Sequence, residues 1–403
     1  MLLSRCEASS RPGAIAPLTA FLLVPLVAMV AFAVDMGWIT HTQNELQSAA
    51  DAAALAGAGQ LPDGFVAYYL PAQSAATKQA TLTVCTAKAS TYAKQYAGSN
   101  SAGDASSLTL LDSDIEYGFT DAAGNYTAIP AYQGYPNTVK VVLRRDGSAN
   151  TPLGLFFAKV LNIQSVNLTA TASASLYAGS IDGFRNPTTT NSRILPMTYD
   201  VNHWNSFLKT GKSPDNVMAL DSNGLPQLNI YPSIKFTGNF GELSLDQGND
   251  GASTISNWLN NGVPSVDLQT EYALGLLPLS KHDSSSPDWK GNPGLKNSTI
   301  QTAGDNVDGL YLLPLFKPVN DGVLNPDAYA AGTGQGSNYN YTIVAFVGVR
   351  ITSVDSQGGS KAINVQPSAL IDPNALYSTL APASPPTATT TLTTTFSYPK
   401  LTR

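Results

Sequence analysis

A chain of 403 residues, 43 % hydrophobic and only 12 % charged, holds enough apolar material for more than one buried core and does not have the composition of a disordered protein. Its formal net charge of −6 provides no positive field for a polyphosphate backbone, which excludes nucleic acid as a partner. Cys6 and Cys85 lie on opposite sides of a long apolar segment, so no disulfide joins them in the intact chain, and Ser4 and Arg5 before Cys6 lack the small residues of a lipid-attachment site.

That segment, Gly13 to Val34, carries no charge and runs directly into the alanine-rich stretch Asp35 to Gly59. About 20 apolar residues at a 1.5 Å rise cross the hydrocarbon core of a bilayer, so the run is long enough to span it. A cleaved secretory signal has a shorter apolar core that ends at a small-residue site; the length here, and the helical pattern beyond it, favour a retained anchor over a processed signal. Pro17 and Pro25 are tolerated in a membrane helix. Arg5 and Arg11 precede the span, whereas Asp35, Glu45 and Asp51 follow it, with no Lys or Arg until Lys78. Positive residues stay on the cytoplasmic side, which predicts a cytoplasmic N-terminus and everything from about Asp35 onward across the membrane, with Trp38 at the interface.

Beyond the span, Ile39, Leu46, Ala50, Ala53, Ala54 and Gly57 recur at helical spacing. Their small side chains suit close packing, against either the chain's own folded part or neighbouring subunits. Pro62, Asp63 and Gly64 are expected to end this helix, which closes a first segment at 1–59. A second helix is predicted over Ala75 to Ala97, with Cys85 a core thiol rather than a reactive one. Strands follow at Asp114 to Thr120, Thr138 to Arg145 and Ser165 to Tyr177, with a short helix at Pro152 to Leu161, so 60–180 reads as one α+β domain.

Residues 181–193, rich in Gly, Asn, Pro and Thr, read as a linker. In 194–380, strands are predicted at Ile194 to Tyr199, Leu225 to Tyr231, Gly309 to Phe316, Tyr339 to Ser353 and Lys361 to Gln366, and helices at Val201 to Lys209 and Ser253 to Asn260. The run Tyr341 to Thr352 is too short for a second span and reads as a central strand. The Pro/Thr-rich tail, 381–403, is expected to be flexible and to bury nothing. The fold class is therefore α+β: a single transmembrane helix extending into an α+β domain, then a β-rich mixed domain.

The pattern nominates no chemistry. His41, His203 and His282 have no partners at metal-ligand spacing, and no nucleophile elbow, phosphate loop or paired-cysteine motif occurs. Asp246, Asn249 and Asp250 supply oxygens without the spacing of a calcium loop and read as a turn. Asp112/Asp114 and Asp305/Asp308 are carboxylate pairs of the kind loops commonly carry, and Asn125, Asn167, Asn297 and Asn340 head Asn-x-Ser/Thr triplets that a chain this rich in Asn and Thr forms by chance. No catalytic, cofactor-binding or metal-binding residue is assigned, no cofactor or small-molecule substrate is identified, and the expectation is a protein that is not an enzyme.

The strings Gly13-Ala14 at the start of the apolar run, Ala33-Val34-Asp35-Met36-Gly37 at its exit, and Leu46-Gln47 followed by Ala49-Ala50-Asp51-Ala52-Ala53-Ala54-Leu55-Ala56 resemble the TadE/TadG-like family of Flp-type pilus assembly proteins, the TadG-like branch most. The resemblance covers Arg11 to Ala58 and extends more weakly to Tyr177. It implies a single-pass, pseudopilin-like protein of the bacterial inner membrane, with a pilin-like α+β domain at 60–180, exported domains, and pilus or secretion apparatus proteins as partners. Two features depart from the pattern: Leu18 stands where prepilins carry a Glu, so retention of the first residues is expected, and no Asp-x-Ser-x-Ser motif of an integrin-type metal domain occurs. The alternative is a membrane-tethered envelope-binding or adhesion protein that holds a glycan or surface partner with aromatics such as Trp258, Trp289, Tyr272 and Tyr329.

Overall fold

The computed structural model describes residues 15–185, 188–214, 217–231, 241–245, 251–271, 289–293, 296–316, 339–341, 343–356, 361–387 and 391–402. Arg5, Cys6, Arg11, Asp246, Asn249, Asp250, Tyr272, His282 and Tyr329, together with the Trp289 side chain, lie outside the described residues.

Helix α1 runs unbroken from Ile15 to Ala58 through Pro25. The sequence Pro62-Asp63-Gly64 does not simply end a helix. It opens α2, Pro62–Tyr69, because proline suits a first helical turn whose N–H groups have no partner, and Asp63 places a negative charge there. Helix α3, Ala75–Gly98, starts where the Ser74 hydroxyl accepts the Thr77 N–H at 3.0 Å. Four shorter helices follow, α4 (Val201–Thr210), α5 (Ala252–Asn261), α6 (Ser265–Glu271) and α7 (Asn297–Asp305). Asp200 caps α4 by accepting the Asn202 and His203 N–H groups, and Gly211, at φ 70°, supplies the left-handed turn that ends it.

Five strands form one sheet in the order Lys400–Thr402, Leu168–Ser175, Thr138–Arg145, Ile115–Thr120 and Tyr126–Ala128. Six form a second, in the order Tyr199–Asp200, Leu310–Phe316, Ile343–Asp355, Ala362–Pro367, Pro226–Tyr231 and Ala219–Leu220. Within the second sheet only the pairing of Tyr199–Asp200 with Leu310–Phe316 is parallel. With its long apolar helix and β-rich remainder, the protein is an α+β fold.

The chain divides into two compact units interleaved in sequence. The first holds the described part of Met1–Ala53 with Lys94–Asp114 and Val141–Ala172; the second holds Ala54–Ala93, Ile115–Lys140 and Ser173–Arg403.

In the first unit, Leu46, Ala49, Ala50 and Ala53 are fully buried, so one face of α1 is covered within the single chain. On its flank, the Gln43 and Gln47 amides donate to the backbone carbonyls of Thr169 and Thr171, at 2.9 and 3.1 Å. Arg145 is buried, donating to the carbonyls of Ala102, Asn150 and Thr151 and pairing with Asp104 at 2.6 Å. The segment expected to be a helix at Pro152 to Leu161 is instead a hairpin. Leu153–Gly154 pairs antiparallel with Ser165–Val166, and a 3-10 turn, Ala158–Leu161, lies between them and closes on Asn162 at φ 64°.

In the second unit, the core gathers Ile255, Trp258 and Leu268 beside Leu312, Phe316 and Phe346. Two expectations are overturned. The supposed linker 181–193 begins inside a strand, Tyr177–Phe184, that pairs with Ala375–Pro382 and buries Ile181 and Phe184. The tail expected to bury nothing buries Ala383, Leu392, Thr394 and Phe396, sets the Phe396 ring edge-on to Phe65 at 5.8 Å, and ends in the strand Lys400–Thr402 on Ser173–Ser175. Thr394 to Ser397 are buried in succession, and isolated bridges from Thr395 to Leu370 and from Phe396 to Ala178 hold this stretch before the strand begins at Lys400.

Candidate functional site at the exit of the apolar helix

From Leu18 to Val34, every large apolar side chain of α1 is exposed, up to 77 % at Phe21. The best 18-residue window has a mean hydropathy of 2.3 and is only 6 % buried. A core helix of that hydropathy would be covered by protein; this one has the length and polarity of a membrane span and is bare. It is the one such helix among the described residues.

The first buried residue met along this surface is Asp35, which is 4 % exposed. Its Oδ1 accepts the N–H groups of Phe156 and Phe157 at 2.8 and 3.3 Å, and its Oδ2 accepts those of Phe157 and Ala158 at 3.1 and 2.7 Å. Burial pushes the Asp35 carboxyl up, but these donors, with the charge of Lys159, outweigh it and hold the group below the usual carboxylate range. One turn further along α1, the Trp38 ring lies 5.7 Å from that of Phe156.

The turn pinned by Asp35 has further backbone bonds of its own. Leu155 N–H donates to the Gln164 carbonyl, Val160 to Phe157, Asn162 to Lys159 and Ile163 to Ala158, all at 3.0 to 3.1 Å. Its side chains stay outside: Phe156, Phe157, Val160, Leu161 and Ile163 are all exposed, Val160 to 89 %. Between this turn and α1 runs an apolar groove of about 490 Å³, reaching from Ile39 at one end to Val24 at the other.

The other candidates are accounted for locally. His41 pairs with Glu45 at 3.3 Å, and His203 Nδ1 lies 3.8 Å from Asp200 Oδ2 at the start of α4. Asp114 holds Arg144 through two 2.7 Å bonds, Asp112 pairs with Lys94, and Asp308 pairs with Arg350 at 3.1 Å, so none of these carboxylates faces its sequence neighbour as an acid–base couple. Cys85 is half-buried and burial pushes its thiol up; it sits where a Cβ on Gly64 would lie 2.5 Å from its sulfur and 2.1 Å from the Tyr135 hydroxyl. Trp258 is fully buried, with its indole N–H on Asp267 at 2.7 Å, and is therefore unavailable to a glycan. Among the described residues no three potential metal ligands cluster.

No curated protein and no solved structure matches the chain. Residues 13–60, the bare apolar stretch, Asp35 and the packed half of α1, match the family described as putative Flp pilus-assembly TadE/G-like, and that match supports assigning the chain's N-terminal helix to this family.

Proposed function

We propose that the protein is a non-enzymatic, membrane-anchored component of a Tad/Flp-type pilus assembly apparatus, pseudopilin-like in its N-terminal half and closest to the TadG-like branch. It acts by protein–protein contact. The observation that carries this reading is one helix whose first half is bare and apolar, whose second half is packed, and whose sequence matches the pilus-assembly family across both. The charge bias of Arg5 and Arg11 against Asp35, Glu45 and Asp51 supports a cytoplasmic N-terminus in the inner membrane, with the folded units outside the cytoplasm.

Co-purification from detergent-solubilised membranes through a C-terminal tag, with mass spectrometry of the bound proteins and of the chain's own N-terminus, tests it. Recovery of pilus-assembly ATPase, platform or pilin proteins with an intact chain is expected. Recovery of the chain alone or with envelope polymers only contradicts an apparatus role, and a mature terminus at Ala14 contradicts retention of the first residues.

A tethered envelope-binding protein is the second reading. What favours it is an open groove of about 670 Å³ in the second unit, lined in part by Asp182, Asn205, Ser384, Thr391 and Thr393. Hydroxyl, amide and carboxylate groups of this kind suit a polar ligand such as a glycan.

A further inference from the structure

We infer that the turn from Leu155 to Ile163 is a second membrane contact, lying in the acyl region of the leaflet that α1 leaves and held against the helix by Asp35. The inference rests on the reading that Leu18 to Val34 spans a bilayer.

Depth comes first. The groove that the turn shares with α1 is walled by Val24, Val27, Ala31 and Phe32 of the span as well as by Met36 and Ile39 beyond it, so it reaches well down the span. From Val24 to Asp35 the helix rises about 16 Å, roughly half the thickness of the hydrocarbon layer. The turn therefore lies beside the span and not above it.

Chemistry agrees with depth. Leu155 to Ile163 (LFFAKVLNI) contains one charge, Lys159, whose long stem can carry its ammonium to the headgroups. Five large apolar side chains stand exposed on a nine-residue turn, an arrangement unfavourable in water and favourable in lipid.

The usual objection to placing a non-helical turn in lipid is its bare backbone. Here it is weakened, because seven of the nine N–H groups from Leu155 to Ile163 have protein acceptors. The N–H groups of Phe156, Phe157 and Ala158, which the turn's own carbonyls do not take up, are accepted by the Asp35 carboxylate, and the remaining turn bonds are internal. The arrangement also accounts for an acid at the mouth of a span: Asp35 spends its charge on three backbone donors. Lipid, rather than a second protein, is the occupant because the patch continues the exposed surface of the span, which is apolar on every side.

The test uses the full chain with Cys6→Ser and Cys85→Ala, carrying one environment-sensitive fluorophore on Val160→Cys, Val27→Cys or Ser148→Cys. Each form is reconstituted into phosphatidylethanolamine/phosphatidylglycerol vesicles containing acyl-chain nitroxide quenchers. Position 148, in a polar turn, is the aqueous reference. Loss of emission at 160 comparable to that at 27, and well above that at 148, is expected. Quenching at 27 with position 160 open to aqueous iodide overturns the inference and leaves the span intact. Quenching at 27 with 160 shielded from both quenchers shows that protein covers the turn, which also overturns it. No lipid quenching at 27 removes the span and the inference together. Adding Asp35→Ala should release position 160 from lipid while leaving position 27 unchanged; persistence of lipid quenching at 160 overturns the role given to Asp35.

Discussion

The two halves of α1 differ in side-chain size and not in helical character. Between Leu18 and Val34 the large apolar residues are Leu, Val, Phe and Met and all are exposed, whereas the fully buried positions from Leu46 to Ala53 are Leu46 and three alanines. Under the proposed membrane span, bulk in the bare half costs nothing and adds contact; in the packed half a methyl group lets backbones approach closely. Asp35 stands at the change of regime, and the polar contacts of Gln43 and Gln47 begin just after it.

A charge placed in the bare half should have the largest effect. Val27→Lys sets an ammonium near the middle of the span at a cost of about 2.5 to 3.5 kcal/mol, and should shift the chain from the carbonate-resistant membrane fraction to the extractable one. Next is bulk in the packed half: Ala50→Leu overfills a fully buried site and should cost about 1 to 3 kcal/mol, read as a lowered thermal midpoint in detergent.

Asp35 should give a local effect with a defined pH window. Its folded pKa lies below the ordinary carboxyl value of about 3.9, so the stabilisation it lends the turn is complete above that value and is lost as pH falls through the lower folded value. A fluorophore at position 160 should hold steady from neutral pH down to about pH 5 and change only below about pH 4. A transition near pH 6 would point to a different group.

Smaller still, Gln43→Ala and Gln47→Ala each remove one amide bond to a strand carbonyl and should cost about 0.5 to 1 kcal/mol in the same thermal assay. Ala20→Leu, in the bare half, should change stability by no more than about 0.5 kcal/mol. Its contrast with Ala50→Leu is the sharpest form of the comparison, because one substitution probes two solvents.

The elements that sequence made legible are those whose signal is local. Helix α1 shows through its apolar length and alanine-rich continuation and α3 through its helical spacing, Thr138–Arg145 through β-branched alternation, and Leu310–Phe316 through a continuous apolar run. The misreadings share a cause, a partner far away in the chain. Leu, Phe, Ala, Lys and Val in Pro152 to Leu161 compose a good helix, yet the acid that fixes this turn is 121 residues away from Phe156. The Thr-rich tail has the composition of a linker, and what fixes it are bridges to Leu370 and Ala178 and the pairing of its last residues, Lys400–Thr402, with Ser173–Ser175. Pro62 reads in the sequence as the end of α1, which does stop at Ala58, and the buried Phe65 and Val66 of α2 add that it also starts a helix, a place proline suits. Of the site, the span was legible from its length and lack of charge. The capping role of Asp35 was not, since a lone acid at a membrane exit reads equally well as a solvated charge.

The most direct test of the account is a single-cysteine scan of α1 from Leu18 to Ala53 in reconstituted vesicles, reading lipid quenching and aqueous accessibility at each position. The account predicts lipid contact on all faces through Val34, then a helical period of protection from both quenchers that includes Leu46, Ala49, Ala50 and Ala53. Aqueous accessibility between Phe21 and Val30, or lipid contact at Ala50, would contradict it.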